Sequence, residues 1–372
     1  MMHKLRHSLG CNLINMRGWR TNRKIVVIES DDWGTLRTPN KETYNALSSK
    51  HADSMFADTY DRVDNLANKE DLEALFDTLM SVTDSKGRHA VLTANTIVGN
   101  PDFEKIRESG YSEYSWEPFT ETLQRYPTHQ GTFEYWKLGI EQGIFVPQFH
   151  GREHLNVCCW LDLLREDYPG MREAFNHGTW LGNPRNSRRL DIAYNYTNND
   201  ELDFVKKSIR EGFEQFSRMF GFKSLTTICP SYTWDRVIEE HFADLGVIAM
   251  QGAYVQNYPE INRQRRSTKH FIGERNAIGQ RYFMRNVHFE PTLIKEANPV
   301  NRLMNDINRV FRWHKPAIIS SHRLNYIGNL VPENREYTLR ILKRLLKEIV
   351  QKYPDVEFMS SDQLALLMTR ND

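Results

Sequence analysis

The amino-acid sequence predicts an α/β fold, an irregular β/α barrel of about seven or eight parallel strands with long loop insertions. Short apolar runs alternate with segments of helical periodicity along nearly the whole chain. Neither a GxGxxG nor a GxxxxGK phosphate-binding loop is present, which argues against an open nucleotide-binding sheet. No low-complexity linker divides the 372 residues, so we expect one domain that spans residues 1–372.

Eight apolar runs are the predicted strands, and each is followed by polar or turn-forming residues. The first, Lys24–Glu29, contains four consecutive β-branched residues, which is typical of a fully buried strand. The other seven are His89–Asn95, Ile144–Phe149, Leu225–Ile228, Gly246–Met250, Tyr282–Val287, Ala317–Ser321 and Val356–Met359.

Apolar residues at three- and four-residue spacing predict helices between these strands. The predicted helices are Leu72–Val82, Phe133–Gln142, Leu155–Glu166, Glu201–Phe220, Asp235–Leu245, Asn301–Trp313 and Glu336–Tyr353. Four polar insertions interrupt the alternation, at about residues 39–70, 101–130, 176–200 and 251–280. Their aromatic side chains either shape a substrate cleft or decorate the surface, and the sequence leaves both interpretations open. Among these aromatic residues are Tyr111, Tyr114, Trp116, Trp180, Tyr194 and Tyr196.

The composition excludes several classes of protein. The chain is 40% hydrophobic and 26% charged, as ordinary globular proteins are, and its net charge of +1 gives no field that recruits nucleic acid or an anionic membrane. Four cysteines without Cys-x-x-Cys spacing argue against a disulfide framework or a cysteine zinc site. No secretory signal or membrane-spanning run is evident, so we expect a soluble, cytoplasmic protein. The sequence indicates no oligomeric state.

Two adjacent carboxylates, Asp31 and Asp32, follow the first predicted strand. Neighbours in a regular strand point to opposite faces, so both side chains serve one site only where the strand is broken, as the nearby Gly34 permits. A metal ligand and an acid/base group are the uses that this placement suggests.

Histidines follow two later predicted strands. His150 and His154 come where we expect a helix to open, and their four-residue spacing places them on one side of its first turn. Two imidazoles and one carboxylate are a familiar catalytic metal set that leaves a position for water. His322 follows the strand Ala317–Ser321. In a barrel, all these residues lie at the C-terminal ends of strands, where barrel enzymes assemble their sites.

The motifs resemble those of the polysaccharide deacetylase superfamily, the NodB-like carbohydrate esterases of family 4, whose fold is a distorted β/α barrel. Asp31 and Asp32 match the aspartates of the family's Thr-Phe-Asp-Asp-Gly motif. His150 and His154 match the histidines of His-Ser/Thr-x-x-His, with Gly151 in place of the hydroxyl residue.

Two further segments extend the resemblance. Ser320-Ser321-His322 is similar to the family's Leu-x-His motif, and Ala90–Gly99 is similar to its second strand. The resemblance therefore covers most of the chain.

The resemblance implies roles for the matched residues. Asp31 is the expected general base and His322 the expected catalytic acid, while Asp32, His150 and His154 hold one divalent metal ion, with zinc expected. The implied function is a metal-dependent hydrolase that removes an acyl group, with acetyl expected, from nitrogen or oxygen of a carbohydrate. The expected partner is therefore a carbohydrate substrate, without nucleic acid or membrane.

One motif departs from the family pattern. The family's Arg-x-Pro-Tyr falls at Ile228-Cys229-Pro230-Ser231, followed by Tyr232, and its arginine is missing. Arg285, on a later predicted strand, is a candidate replacement. The resemblance implies an oxyanion-binding backbone amide near Ser231 or Tyr232, and Trp33, inserted before Gly34, is a further expected substrate contact.

Three other functions stay open. His150-x-x-Glu153-His154 also fits the His-x-x-Glu-His pattern of zinc peptidases, in which Glu153 is the general base. The missing arginine equally fits a glycan-binding protein that has lost activity on this fold. Asp31 and Asp32 as a glycosidase pair are disfavoured, because such carboxyl groups stand roughly 5 to 9.5 Å apart across the bond.

A second group of polar residues, Asn286, His288 and Glu290, shares one face of an extended segment by a period of two. These residues either join the site or lie on a barrel wall, and we do not include them in the predicted metal set.

Overall fold

The structure is a computed structural model that describes residue 12 and residues 14–51, 58–180, 188–261 and 265–370. Its strands, in chain order, are β1 (Lys24–Trp33), β2 (Leu92–Ile97), β3 (Gly99–Pro101), β4 (Trp116–Pro118), β5 (Phe145–Gly151), β6 (Thr226–Ile228), β7 (Ala249–Gly252), β8 (Val255–Asn257), β9 (Ser267–Lys269), β10 (Arg281–Met284), β11 (Val287–His288), β12 (Ala317–His322) and β13 (Val356–Met359).

Nine of these strands form one sheet in which every recorded pairing is parallel. The order across it is β10-β7-β6-β5-β2-β1-β12-β11, and β13 also pairs with β1. Two short antiparallel pairs, β3 with β4 and β8 with β9, lie outside this sheet.

The chain passes directly from one edge of the main sheet to the other. Only Arg285 and Asn286 separate β10 from β11. The Arg285 N–H donates to the carbonyl of Gly252, the last residue of β7, at 2.9 Å, and the Asn286 N–H donates to the carbonyl of Ile318 in β12 at 3.1 Å. The sheet is therefore a curled half-barrel whose two edge strands follow each other in the chain, and the predicted fold class is confirmed.

Helices flank the strands. They are α1 (Lys41–His51), α2 (Thr59–Val63), α3 (Lys69–Leu79), α4 (Phe103–Glu108), α5 (Phe119–Arg125), α6 (Thr132–Glu141), α7 (Val157–Arg165), α8 (Met171–Asn176), α9 (Asn199–Phe220), α10 (Arg236–Asp244), α11 (Pro299–Arg312), α12 (Pro332–Lys352) and α13 (Ser361–Arg370). Short 3₁₀ turns occupy Pro127–His129, Pro230–Tyr232 and Arg323–Asn325.

The alternation of β1 divides its side chains between two cores. Val26 and Ile28 pack in a cluster with apolar residues of α3, α6, α11 and α12. Ile25 and Val27 pack on the other side, with residues of β10, β12 and α13. All four side chains are fully buried, and burying each stabilises the fold by about 1.5–3 kcal/mol. The run of β-branched residues is thus explained by a strand that is buried on both faces.

All eight predicted strands and all seven predicted helices are present, with shifted ends. β1 and β5 run two to four residues further than predicted, to Trp33 and Gly151. The predicted strand Tyr282–Val287 is divided into β10 and β11, because its two halves pair with opposite edges of the sheet. The expectation of one domain over residues 1–372 stays a prediction.

The predicted insertions contain their own short elements. Helices α1 and α2 lie in the first, β4, α4 and α5 in the second, and the β8–β9 hairpin in the fourth. Residues 52–57, 181–187 and 262–264 of these insertions lie outside the described residues. Among the helices that the structure describes, none combines the length and apolar character needed to cross a membrane. Cys158, Cys159 and Cys229 are free thiols, and Cys11 lies outside the described residues.

Candidate active site

A β-bulge near the end of β1 brings Asp31 and Asp32 to one edge of the barrel. Between Ser30 and Trp33 the register with β2 shifts by one residue. Asp32 adopts a φ of 72°, a left-handed conformation that few non-glycine residues take. The predicted break in the strand is confirmed, but it lies at Asp32 itself rather than at Gly34.

Gly34 has a different task, which is to let the chain turn tightly against β2. Its φ is 86°, and a Cβ at this position would lie 2.1 Å from the carbonyl oxygen of Ile97. Only glycine combines this conformation with so close a backbone approach.

His150 is the second-last residue of β5, and His154 follows in the loop before α7. The prediction that both share the first turn of a helix is wrong, because α7 begins only at Val157, where the Asn156 side chain caps it. Gly151, which replaces the family's hydroxyl residue, has a φ of 152°, and a Cβ there would lie 3.1 Å from the Glu153 carbonyl oxygen. The loop that returns His154 to His150 therefore requires glycine.

Asp32, His150 and His154 form a compact buried group. Their ligating atoms lie within 4.8 Å of one another, and the three side chains are 2–7% exposed. The Oδ1 atom of Asp32 lies 3.5 Å from Nε2 of His150 and 3.4 Å from Nε2 of His154.

The tautomer of His150 is set by its other nitrogen. Nδ1 contacts the carbonyl oxygen of Ile228 at 2.8 Å, and since a carbonyl only accepts, Nδ1 carries the proton. Nε2 then presents a lone pair toward Asp32. Burial lowers the pKa of His154 to about 4, against the opposing effect of Asp32, so the His154 ring is neutral near pH 7.

This arrangement fits a cation. Among the described residues, neither Asp32 Oδ1 nor His150 Nε2 has a hydrogen-bond partner, although both are buried. Buried acceptors that face one another without a donor are costly, and a divalent ion removes that cost by accepting their lone pairs. Two imidazoles and a carboxylate are the donor set of many catalytic zinc sites.

The second oxygen of Asp32 belongs to a buried charge network. Arg37 donates to Asp32 Oδ2 at 3.1 Å and lies 3.0 Å from a carboxylate oxygen of Asp64. Arg323 donates to the other oxygen of Asp64 at 2.9 and 3.1 Å. Burial opposes ionisation of Asp32, but Arg37 and the two neighbouring imidazoles hold its pKa well below the usual range. Asp32 is therefore held as a carboxylate with one oxygen free.

Asp31 is held in a contrasting way, by Arg285. The guanidinium donates to both Asp31 oxygens at 2.6 Å, a bidentate pair, and its Nε donates to Glu29 at 2.7 Å. Asn95 donates a third hydrogen bond to Asp31 at 2.8 Å. Burial raises the pKa of Asp31, but the charge and hydrogen bonds of Arg285 outweigh it and lower the pKa to about 2. The arginine missing from the third motif is thus supplied by the segment between β10 and β11.

His322 lies beside Asp31 because the two are register partners on β12 and β1. Its Nε2 is 3.9 Å from Asp31 Oδ2, and its Nδ1 is 2.6 Å from a Glu290 oxygen. Burial lowers the pKa of His322, but the charge and hydrogen bond of Glu290, followed by Asp31 and Asp32, raise it to about 9. His322 is accordingly protonated near neutral pH.

Glu290 thus joins the site. Asn286, of the same period-two segment, instead ties this segment to β12, since its side chain donates to the carbonyl of Pro316 and accepts from the N–H of Ile318.

Ser231 and Tyr232 lie at the end of β6, and both have positive φ, 52° and 54°. The Tyr232 N–H already donates to the Cys229 carbonyl at 3.0 Å. The Ser231 hydroxyl donates to the Asp191 carboxylate at 2.9 Å. Two successive left-handed residues at the edge of a site are a costly conformation that marks a functional loop.

Trp33 is not placed where the sequence predicts. The prediction that it contacts substrate is wrong, because its ring is fully buried and packs edge-on against Phe145 at 4.8 Å between centroids. Its Nε1 donates to the Ser30 hydroxyl at 2.9 Å, so even its polar atom is satisfied inside the core.

Glu153 is hydrogen-bonded to groups outside the cluster of Asp32, His150 and His154. Arg152 donates to its two oxygens at 2.6 and 3.0 Å, and Ser208 of α9 donates to it at 2.8 Å. A carboxylate held in this way is a structural ion pair, so the geometry disfavours the zinc peptidase.

Most aromatic residues of the insertions pack rather than line a cleft. Trp180, Tyr194 and Tyr196 are 1–5% exposed. Tyr114 and Trp116 cover the guanidinium of Arg152 at 5.3 and 5.5 Å.

The first and third insertions nevertheless reach the site. Tyr60 lies edge-on to His322 with ring centroids 5.7 Å apart, and Arg37 lies 5.0 Å from the Tyr60 ring and 5.5 Å from the Trp180 ring. Tyr60, Arg37 and Asp64 are absent from the sequence prediction. Tyr60 and Asp64 lie far along the chain from the motifs, so no spacing pattern indicated them. Arg37 follows Asp32 by only five residues, and this short spacing is the one signal that could have found it.

No family model matches the chain, and no curated protein sequence matches it. Several solved structures are similar to it. A 4-alpha-glucanotransferase from Thermococcus litoralis matches over 93% of this chain at 8% identity with a TM-score of 0.44, and the chain spans 40% of that protein's length. A probable polysaccharide deacetylase from Pseudomonas aeruginosa PAO1 matches over 94% of this chain and 92% of its own, at 8% identity and a TM-score of 0.48.

A CE4 family pseudoenzyme from Bacillus anthracis, BA3943, matches over 92% of this chain and 66% of its own, at 11% identity and a TM-score of 0.36. At these identities and TM-scores the likeness assigns neither an activity nor a substrate. The function of this chain is indicated instead by the residues at the C-terminal end of the barrel.

Proposed function

We propose that this protein is a metal-dependent hydrolase that removes an acyl group, with acetyl as the first candidate, from nitrogen or oxygen of a carbohydrate. One observation carries the proposal. Buried acceptor atoms of Asp32 and His150 face each other without a hydrogen-bond partner among the described residues, next to the Asp31 carboxylate and the protonated His322 imidazole. Metal ligand, base and acid are the three groups that hydrolysis of an acyl bond requires.

Asp32, His150 and His154 would hold one divalent ion, and we propose zinc because it suits two imidazole nitrogens with one carboxylate. Such an ion, when bound, polarises a carbonyl and lowers the pKa of water toward about 7.

Asp31 would accept the proton of the attacking water. Its pKa of about 2 keeps it ionised, and the bidentate pair with Arg285 fixes the direction of its lone pairs. This pair supports an active hydrolase over the inactive glycan-binding protein, because an arginine that can orient Asp31 is present, although it comes from the segment between β10 and β11.

His322 would donate a proton to the departing nitrogen or oxygen. An amide needs this proton most, because an amine anion is a very poor leaving group. Glu290 keeps the imidazole protonated and fixes its orientation through Nδ1. For the oxyanion we propose the Ser231 N–H, since the Tyr232 N–H is occupied by the Cys229 carbonyl.

The test combines metal analysis of the purified protein with acetate release from a panel of N- and O-acetylated sugars and a non-sugar amide. We expect about one zinc ion per chain and release from at least one sugar. A protein without stoichiometric divalent metal that releases nothing would contradict the proposal.

The variant Glu153→Gln distinguishes the proposed acyl hydrolase from the zinc peptidase. Because Glu153 pairs with Arg152 and Ser208, the variant should keep its metal and its activity per folded molecule, whereas a peptidase would lose turnover.

A cytoplasmic location and the absence of nucleic-acid and membrane partners stay predictions.

A further inference from the structure

A separate cavity of about 200 Å³ opens beside the candidate site. Its lining side chains include three arginines, Arg189, Arg265 and Arg266, and one carboxylate, Glu260. The rest of the lining consists of three polar residues and two largely apolar ones: Asn195, Thr233, Asn257, Ile192 and Tyr258. We call this cavity the arginine pocket.

The arginine pocket shares a wall with the site. Arg189 lies 3.4 Å from the Ser231 hydroxyl, and Asn257 approaches the Ser231 carbonyl at 3.5 Å. Thr233 of the pocket forms a bridge with Asn257. Tyr232, the next residue, lies 3.4 Å through its hydroxyl from Arg285, so the left-handed loop at Ser231 contacts both the candidate active site and the arginine pocket.

Positive charge is in excess in the pocket. Arg265 pairs with Glu260 at 3.1 Å, and Arg189 pairs with Asp191. Arg266 has no carboxylate partner among the described residues, and its guanidinium lies 5.4 Å from the Tyr258 ring. One free guanidinium beside two others favours an anionic ligand.

The backbone around Arg266 is fixed rather than open. Tyr258 directly follows β8 and Arg266 directly precedes β9. The Tyr258 N–H donates to the Arg266 carbonyl at 2.9 Å, next to the paired residues of the two strands. The Glu260 N–H donates to the Asn195 side chain at 2.8 Å, which ties the hairpin to the third insertion. The arginines are thus carried on a framework that two insertions build together.

We propose that the arginine pocket binds an anionic substituent, a carboxylate or a phosphate, of the carbohydrate substrate. The planar guanidinium matches both groups through paired N–H donors. This inference rests on the proposed function, because it names the class of sugar that the same site would take.

The experiment measures equilibrium binding of three sugars to the full chain by calorimetry at low salt: glucose, glucuronic acid and glucose 6-phosphate. We expect at least one anionic sugar to bind about tenfold more tightly than glucose and to weaken as salt is added. The tighter of the two identifies carboxylate or phosphate. Arg266→Gln should remove most of this preference and leave glucose binding unchanged.

Arg344→Gln is the control outside the pocket. Arg344 is an exposed arginine on α12, so its replacement removes the same charge from the protein surface as Arg266→Gln does, at a place away from the pocket. The control should bind all three sugars as the native chain does. Equal binding of the three sugars, or an anionic preference that survives Arg266→Gln, overturns the inference.

Acetate release is measured in parallel on neutral and anionic acetylated sugars. A preference for anionic sugars in binding without any acetate release supports the pocket and overturns the hydrolase. Acetate release that is equal for both sugar types and insensitive to Arg266→Gln supports the hydrolase and overturns the pocket.

Discussion

The two ends of the barrel carry similar charged residues but arrange them in opposite ways. At the N-terminal end of β1 and β13, Glu357 accepts from Arg23 twice at 2.7 Å and is 2.5 Å from Lys86. Nearby Asp84 accepts from the side chain and backbone of Arg88. Every carboxylate named here has cationic partners.

At the C-terminal end, Asp32 turns one oxygen toward two imidazole nitrogens with no donor between them. The difference shows that unsatisfied buried acceptors, rather than charge itself, mark the functional end. A saturated cluster stabilises the fold, whereas an unsaturated one leaves room for a ligand. The predictions below separate these two roles.

The largest effect is expected from Asp32→Ala, which removes a facing acceptor. The variant should lose its bound metal and reduce hydrolysis by roughly a thousandfold or more. Metal analysis and acetate release measure both losses. Glu357→Gln, a change of a buried carboxylate at the opposite end, is the control and should retain metal and activity per folded molecule. Unchanged metal content in Asp32→Ala would falsify the proposed ligand set.

Arg285→Met tests the fully hydrogen-bonded ion pair of Arg285 and Asp31 at the C-terminal end of the barrel. Removing the guanidinium leaves the buried Asp31 and Glu29 without their cation, so we expect a loss of about 3–5 kcal/mol in the free energy of unfolding. Urea denaturation measures this loss. Arg285→Lys should restore part of the stability but not the bidentate geometry, so kcat should stay low while KM changes little. Full activity of the lysine variant would contradict the orienting role.

Glu290→Gln sharpens the role of His322. Because Glu290 raises the pKa of His322 to about 9, losing its charge should return that pKa toward the ordinary value. The protonated acid then disappears at lower pH, so the alkaline limb of the pH–rate profile should move to lower pH, with activity at pH 8 falling about tenfold and activity at pH 6 falling less. A uniform loss at both pH values would instead indicate a structural role.

The smallest effect is expected from Glu357→Gln at the N-terminal end. Hydrogen bonds from Arg23, against a smaller opposing effect of burial, lower the pKa of Glu357 to about 2 from an ordinary 4.5. A lowered carboxylate pKa stabilises the fold at high pH, and this contribution is lost as pH falls from about 4.5 to 2. Its cations are partly exposed, so the variant should lose about 1 kcal/mol at pH 7.

A comparison of the native chain and Glu357→Gln by thermal unfolding between pH 2 and pH 7 checks this prediction. Their stabilities should converge toward pH 2. A constant difference across the whole range would mean that Glu357 does not titrate in this interval.

The sequence by itself determined the barrel class and the positions of Asp31, His150 and His322 at strand ends. A run such as Lys24–Glu29 and the helical spacing between runs are local patterns, and parallel strands necessarily bring their C-terminal ends to one edge. The grouping of Asp32, His150 and His154 was predictable for the same reason.

Only the tertiary structure decided how the site is held. Arg285 reaches Asp31 across 254 positions of sequence because β10 and β11 close the two edges of the sheet, and no local pattern encodes that closure. The same limit explains Trp33, whose place in the core depends on the bulge lying at Asp32 and not, as the sequence suggested, at Gly34. Local periodicity is written in neighbouring residues, whereas buried ion pairs depend on where distant strands meet.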